Sequence, residues 1–162
     1  MNPEPKFTTV ELFTQELDKN IDVLRSYNEN DFKNYVEQLI EDIKSTFENN
    51  DKIKIIMNID KVFLDIDYAM PCGLIINEAL TNCFKYAFIE KNGVINLSFK
   101  LIDNSYILEI KDNGIGLKND FNLEKMDSLG LNLINSIATI QLNGKLKIIN
   151  SNGTHLSISF RL

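Results

Sequence analysis

Side chains that bind metals or form disulfides are scarce in this chain. Its 162 residues include one histidine, His155, and two cysteines, Cys72 and Cys83, and no Cys-x-x-Cys pair occurs. A zinc site therefore has no plausible ligand set. The cysteines lie eleven residues apart on one predicted helix, a rise of about 16 Å, whereas a disulfide allows roughly 4–7 Å between α-carbons. Both should be free thiols, as a reducing interior would leave them.

Other absences argue against membrane and nucleic-acid functions. No apolar run approaches the roughly 20 residues of a membrane helix, and the N-terminal Met-Asn-Pro-Glu-Pro does not resemble a signal peptide. The net charge is -6 and no basic stripe occurs, so the electrostatic footprint of nucleic-acid binding is missing. Residues 1–50 hold 11 acids and 5 bases, and residues 51–162 hold 12 of each. We expect a soluble, cytoplasmic chain, although a longer parent protein could be membrane-associated.

The N-terminal part of the chain predicts a tail and two helices. Residues 1–6 carry two of the three prolines and should be extended. Apolar residues recur at spacings of three and four over 8–26, which predicts a helix for packing or for homodimer formation. A second helix is predicted from Asp31 to about Phe47. We therefore divide the chain into an N-terminal region, residues 1–30, and a domain, residues 31–162.

Strand and helix patterns alternate through the rest of the chain. Strands are predicted at residues 52–59, 94–101, 106–111, 145–149 and 155–161. Helices are predicted after Asp67, a candidate N-cap that would put Pro71 in the first turn, and over Leu131 to Leu142. This order predicts an α/β (α+β) fold, a two-layer sandwich of one mixed, mostly antiparallel sheet with helices on one face.

The segment Asn77 to Tyr86 carries the first candidate site. Helical spacing places Glu78, Asn82 and Lys85 on one face, so that a base, a metal ligand and a cation would line one groove. The same three side chains could also be the solvated side of an amphipathic helix. The opposite face would anchor the helix to the core through Ile76, Leu80, Cys83 and Ala87.

Three glycine-containing segments follow. Asp112-x-Gly114-x-Gly116 ends a strand, where a carboxylate can accept a hydrogen bond from an exocyclic amine and glycines let the backbone approach a flat ligand. Asp-Asn-Gly is also a common turn. Gly130 begins a helix and could offer free N–H groups to phosphates. Gly153-Thr154 is the weakest signal, since an ordinary hairpin explains it equally well.

The order and spacing of the four segments resemble the GHKL superfamily of ATP-binding domains, which includes sensor histidine kinases, type II topoisomerases, Hsp90-like chaperones and MutL-like repair proteins. The chain looks most like the histidine kinases of the HisKA_2 type over about residues 31–162. The motifs that carry this resemblance are Pro71-x-Gly73-Leu74-Ile75-x-Asn77-Glu78-x-x-x-Asn82-x-x-Lys85-Tyr86 (N box), Asp112-Asn113-Gly114-Ile115-Gly116 (G1 box), Ser128-Leu129-Gly130-Leu131 (G2 box), Gln141-Leu142-x-Gly144 and Gly153-Thr154.

The resemblance implies a role for each matching residue. Asn82 would bind Mg²⁺, Lys85 would contact the ATP phosphates, and Glu78 matches the general-base position of the superfamily. Asp112 would accept the adenine amino group, with Thr154 bonding beside it. Residues 117–129 would form a lid over the phosphates. The implied nucleotide-binding residues are Asn77, Asn82, Lys85, Tyr86, Asp112, Gly114, Ile115, Gly116, Ser128, Leu129, Gly130, Leu131 and Thr154.

Two departures from the family pattern shape the predicted function. Ser128 replaces the first glycine of the G2 box, and no clear F box appears. His155 lies in the predicted last strand, facing the sheet surface, so the phosphoacceptor histidine must lie outside this chain. The resemblance then implies a catalytic domain that works with a histidine-bearing dimerisation domain and a response regulator. The alternatives are an anti-sigma-type serine kinase of the same fold, or a non-catalytic interaction module that binds a nucleotide, or nothing, and works through protein contacts.

Overall fold

The structure is a computed structural model that describes residues 32–48, 50–88, 92–118 and 128–162. The helix predicted over residues 8–26 and most of the predicted lid lie outside the described residues. No helix among the described residues is both long enough and apolar enough to cross a membrane.

Five strands form one mixed sheet in the order β1-β2-β3-β5-β4. The strands are β1 (Ile53–Ile59), β2 (Gly93–Ile102), β3 (Ser105–Asp112), β4 (Lys145–Asn150) and β5 (Thr154–Phe160). β1 and β2 are parallel, and the other three neighbouring pairs are antiparallel. The parallel pair needs a crossover between its strands, and a helix supplies it. The predicted mixed, mostly antiparallel sheet is confirmed.

The described ranges contain three α-helices: α1 (Phe32–Ser45), α2 (Ile66–Asn82) and α3 (Leu129–Ser136). α2 and α3 each continue into a π-helical turn, Cys83–Ala87 after α2 and Ile137–Gln141 after α3. A short 3₁₀ turn, Asn50–Lys52, leads into β1. The apolar spacing predicted these helices but not their π turns, which occur mostly as single-turn insertions and often at functional sites.

The core lies between the helices and one face of the sheet. Alternate strand residues point to opposite faces, and those on the helix side are nearly inaccessible to solvent: Ile95, Leu97, Phe99, Leu108, Ile110, Leu156, Ile158 and Phe160. The register places a mainly polar set on the other face: Lys54, Asn96, Ser98, Glu109, Lys111, Lys147, Ser157 and Ser159. Phe32 of α1 contacts Phe99, with ring centroids 4.6 Å apart. The two-layer arrangement is thereby confirmed.

The start of α2 differs from the prediction. Asp65, not Asp67, is the N-cap, because its Oδ1 accepts a hydrogen bond from the Asp67 N–H at 3.0 Å. Pro71 is consequently the sixth residue of the helix rather than a first-turn residue. At that position proline removes the bond that residue 71 would donate to the Asp67 carbonyl. Sequence spacing alone did not distinguish the two aspartates, since either could cap.

Both antiparallel hairpins follow the prediction. Asp103 and Asn104 join β2 to β3 with φ values of 49° and 60°, the left-handed conformation that suits a two-residue hairpin turn. Residues 151–153 join β4 to β5, and Gly153 there has a φ of 107°. These two turns bring the end of β3 beside the β4–β5 turn, which is where the candidate site lies.

Candidate nucleotide-binding site

The end of α2 supplies one wall of the candidate site. Its predicted anchoring residues are buried, with exposed fractions of 0% for Ile76 and Leu80, 7% for Cys83 and 9% for Ala87. Asn77 is also buried at 7%. Glu78 and Asn82 are half-buried, and Lys85 and Tyr86 are exposed. The helix therefore has the buried and accessible sides that the pattern predicted.

The π turn changes where Lys85 lies. The prediction treated Glu78, Asn82 and Lys85 as one regular α-helical face, but α2 ends at Asn82 and Lys85 belongs to the wider turn that follows. A residue in a π turn is rotated away from its α-helical position. Glu78 and Asn82 thus share the regular helical face, and Lys85 and Tyr86 extend from its end into solvent.

Asp112 provides a buried carboxylate at the end of β3. It is only 3% exposed. Its Oδ1 accepts a hydrogen bond from the Gly114 N–H at 2.8 Å, and the Cys83 thiol lies 3.7 Å from its Oδ2 as a donor. Burial raises the pKa of the Cys83 thiol, with the charge of Asp112 as the second cause, so the sulfur keeps its proton. Each oxygen of the Asp112 carboxylate therefore accepts a hydrogen bond from the protein.

Residues 113–115 attach the end of β3 to the π turn after α2 and to β2. The Ile115 N–H donates to the Ala87 carbonyl at 3.0 Å, and a β-carbon at Gly114 would collide with that same carbonyl. Asn113 is paired with Val94: the Val94 N–H donates to the Asn113 Oδ1 at 2.8 Å, and the Asn113 N–H donates to the Val94 carbonyl at 3.2 Å. Asp-Asn-Gly is thus more than an isolated turn, since it joins three elements.

The glycine at position 153 packs against Asp112. A β-carbon there would overlap the Asp112 backbone, so glycine is required both by this contact and by the positive φ. Thr154 follows and is half-buried. Its side chain makes no hydrogen bond within the described part of the chain, so the bond expected beside Asp112 stays a prediction.

Asn150 holds the backbone just after the second G1 glycine. Its Oδ1 accepts from the Leu117 N–H at 2.9 Å, and its Nδ2 donates to the Leu117 carbonyl at 2.8 Å. Gly116 has a φ of 74°, and a β-carbon there would strike the Asn150 amide. Asn150 therefore anchors the backbone at Leu117.

The start of α3 lies directly against α2. A β-carbon at Gly130 would be 2.9 Å from the Glu78 Oε2 and 3.4 Å from the Asn82 Nδ2. Ser128 caps the helix, with its Oγ accepting from the Leu131 N–H at 3.2 Å. The Leu131 amide is thus already bonded in this arrangement. The structure brings Glu78, Asn82 and Gly130 together, while Leu129 remains exposed.

Sequence reasoning missed Cys83 and Asn150 as site residues. Cys83 was assigned only to the core, because it occupies an apolar position of the helical repeat. Asn150 ends a short strand before a turn, where asparagine is common for local reasons. Neither position carries a signal in a single sequence, since each depends on a contact with a residue distant in the chain.

A buried acceptor, a glycine-lined approach and a helix N-terminus next to an acid and an amide define a site of the nucleotide-binding class. The comparisons specify it further. The family model described as histidine kinase-, DNA gyrase B- and HSP90-like ATPase matches residues 69–162, more than half of the chain. The chain belongs to this family of ATPases.

Curated relatives are similar over about half of the chain. The sensor histidine kinase PdtaS of Mycobacterium tuberculosis is 31% identical over 85 residues, and that of Mycolicibacterium smegmatis is 32% identical over 85 residues. Each alignment covers 51% of this chain and 17% of the relative. The matched region is therefore a small part of those proteins.

Solved structures of histidine kinases share the fold. The histidine kinase domain of the Erythrobacter litoralis EL346 blue-light activated histidine kinase matches with a TM-score of 0.73 at 20% identity, covering 97% of this chain and 76% of that one. Acinetobacter baumannii histidine kinase AdeS matches with a TM-score of 0.68 at 18% identity, covering 94% of this chain and 79% of that one. At these identities the likeness establishes the fold.

Proposed function

We propose that this chain is the ATP-binding catalytic domain of a sensor histidine kinase. It would transfer the ATP γ-phosphate to a histidine that lies outside these residues. Family membership and the similarity to PdtaS support this proposal. His155 does not suit the acceptor role, because it lies on β5 with its Nε2 3.1 Å from the Glu109 Oε1 and is half-buried on the sheet surface.

The observation that carries the proposal is the buried Asp112 carboxylate with a hydrogen bond to each of its oxygens. A buried carboxylate acceptor is costly unless it is bonded, and this one is bonded on both oxygens by Gly114 and Cys83. It stands at the end of a strand with Gly114 and Gly116 beside it. A purine amino group can reach such an acceptor without meeting a β-carbon, which explains how adenine would be selected.

The phosphates would lie toward α3. The N-terminus of a helix offers unsatisfied N–H groups and a positive dipole end, and Gly130 places this end against Glu78 and Asn82. Lys85 and Tyr86 are exposed at the end of α2, where they can reach a bound nucleotide. Leu131 would contribute its amide only after release from the Ser128 hydroxyl.

The side-chain oxygen of Asn82 suits Mg²⁺. Magnesium is usually held by one or two protein oxygens together with nucleotide phosphates rather than by a full protein cage. No group of three or more His, Cys, Asp or Glu side chains that could hold a metal occurs within the described ranges, which is consistent with such a sparse site. Bound Mg²⁺ would neutralise phosphate charge during transfer.

Phosphoryl transfer would depend mainly on position. Little covalent chemistry is required of the protein, so alignment of the γ-phosphate with the acceptor and charge neutralisation supply most of the rate. Glu78, which matches the general-base position of the superfamily, would orient the incoming nucleophile. The proposed partners are a histidine-bearing dimerisation domain and a response regulator in the cytoplasm, with residues 8–26 as a candidate dimer helix.

Nucleotide titration tests the site. Calorimetry with ATP, with and without Mg²⁺, should show magnesium-dependent binding that Asp112→Asn weakens by at least about tenfold, because a charged hydrogen bond is lost. Asp103→Asn is the matched control, since it removes an exposed carboxylate from the other end of β3. A thermal melt of each variant checks folding. Absence of binding at millimolar ATP would leave the non-catalytic interaction module as the better description.

Transfer to a separate protein tests the reaction. Radiolabelled ATP should label the isolated histidine-bearing domain of a related kinase, and Asn82→Ala should abolish the label. Phosphohistidine is labile in acid and stable in base, whereas phosphoserine is stable in acid. Acid-stable label would favour the anti-sigma-type serine kinase instead.

A further inference from the structure

We propose that Cys83 is a positioning residue, whose S–H holds the Asp112 carboxylate in the orientation that accepts the adenine amino group. The inference rests on the proposed function, since it assigns a partner to the same adenine acceptor. It goes further by giving a role to a residue that the helical pattern placed only in the core.

The two carboxylate oxygens of Asp112 have different hydrogen-bond partners. Oδ1 accepts from the Gly114 N–H at 2.8 Å and lies against Gly153. Oδ2 faces the Cys83 Sγ at 3.7 Å, a contact buried within the protein. A carboxylate oxygen can accept more than one hydrogen bond, so Oδ2 has capacity left for a ligand. The thiol contact keeps Oδ2 from rotating out of its position.

The thiol acts as a donor and not as a second negative charge. The Cys83 Sγ is buried, and its S–H donates toward the Asp112 Oδ2 across 3.7 Å. A thiolate beside the carboxylate would repel it, whereas a thiol can donate to it. Because sulfur is a weak donor, Oδ2 retains most of its accepting strength for the amino group.

The segment holding Cys83 couples the adenine and phosphate ends of the site. Cys83 begins the π turn and directly follows Asn82, the proposed magnesium ligand. Its contact with Asp112 therefore ties the end of α2 to the end of β3. A change at position 83 should affect recognition of the adenine amino group more than recognition of the phosphates.

The test compares ATP with purine riboside triphosphate, which lacks the 6-amino group. Cys83→Ala should raise the Kd for ATP by about three- to tenfold, the range of one lost hydrogen bond. Its Kd for purine riboside triphosphate should stay within about twofold of wild type. Cys83→Ser, which keeps a donor on a shorter arm, should recover part of the lost ATP affinity.

Cys72→Ala is the matched control. Cys72 is the buried thiol of α2 itself, in the helix that leads into the turn of Cys83, and its loss should leave both nucleotide affinities within about twofold of wild type. In the Asp112→Asn background, Cys83→Ala should have no further effect on ATP affinity. Thermal melts of all variants monitor folding.

Three outcomes would overturn the inference. These are an unchanged ATP affinity in Cys83→Ala, equal losses for the two nucleotides, and additive losses in the Asp112→Asn background. If Asp112→Asn weakens ATP binding while Cys83→Ala does not, only the inference fails. If wild type binds no ATP, the proposed function fails with it.

Discussion

The contact between Gly73 and Tyr35 joins α1 to α2 at the level of single residues. A β-carbon at Gly73 would fall on the Tyr35 hydroxyl and come within 2.8 Å of the ring carbon that bears it. Tyr35 is 4% exposed, so its ring has little room to move. Glycine in the middle of a helix normally lowers stability, and here the close packing accounts for it.

We predict that Gly73→Ala destabilises the domain. In an open helix this change would stabilise by about 1 kcal/mol, whereas overpacking of a core costs about 1–3 kcal/mol. The free energy of unfolding from urea titration gives the sign directly. Tyr35→Phe in the same background removes the nearest atom, so the double-mutant cycle should show partial recovery. A more stable Gly73→Ala variant would show that the Tyr35 ring shifts at little cost.

Site residues could be predicted from the sequence where chemistry and spacing both mark them. Asp112 is a carboxylate in a glycine-rich segment, and Asn82 and Glu78 share a helical face, so their positions could be anticipated. Cys83 and Asn150 could not, because each acts through one contact with a residue 29 or 33 positions away. Such contacts depend on tertiary packing, which a single sequence does not give.

At the scale of elements, an ion pair and hydrogen bonds connect the parallel strands β1 and β2 near their carboxyl ends. The Lys100 Nζ lies 2.7 Å from the Asp60 Oδ1 and 2.6 Å from the Asn58 Oδ1. Asp60 Oδ2 also accepts from the Leu101 N–H at 3.3 Å. The hydrogen bond from Lys100, followed by the one from Leu101, lowers the pKa of Asp60 below its ordinary value.

This lowered pKa predicts a pH dependence. The stability that Asp60 contributes is fully present above its unfolded value of 3.8 and is lost as the pH falls through the lower folded value. Asp60→Asn should therefore be less stable than wild type near neutral pH, and the difference should shrink below pH 3.8. Denaturant titrations at both pH values measure it. Asp51→Asn, at the other end of β1, is the control, and a difference that persists in acid would contradict the prediction.

Element identities were predictable, and element ends were less so. Alternation and apolar spacing gave all five strands and the three described helices. The N-cap of α2 is Asp65 and not the predicted Asp67. Two helices end in π turns, which the spacing of apolar residues does not indicate. Helix ends depend on which of several polar groups meets the free backbone N–H groups, and a π turn depends on tertiary packing.

At the scale of the whole molecule, the site is assembled from three segments far apart in the chain. The end of α2, the end of β3 and the start of α3 meet through the Cys83–Asp112, Ile115–Ala87 and Gly130–Glu78 contacts. The sheet order explains the meeting, because the central strand β3 ends beside both the β4–β5 turn and α2. The sequence predicted that these segments meet only through the resemblance of its motifs to the GHKL superfamily, and not from spacing or periodicity.

A ligand that spans the three segments should stabilise them together. At a free concentration of 100 times its Kd, ATP with Mg²⁺ should raise the free energy of unfolding by about 2.7 kcal/mol. Amide hydrogen exchange should slow in residues 82–87, 112–118 and 128–131, which meet at the site. The turn at Asp103–Asn104, at the far end of β3, should keep its exchange rate.

The Asp112→Asn variant shows whether ATP protects the three segments together or protects only the start of α3. Under the same ATP concentration the variant should lose protection in all three segments, because adenine contacts Asp112 and the phosphates reach α3 through the same molecule. Protection confined to residues 128–131 would mean that phosphate binds the helix N-terminus without adenine recognition. That result would contradict a site in which Asp112 selects the nucleotide and the α2 and α3 ends hold its phosphates.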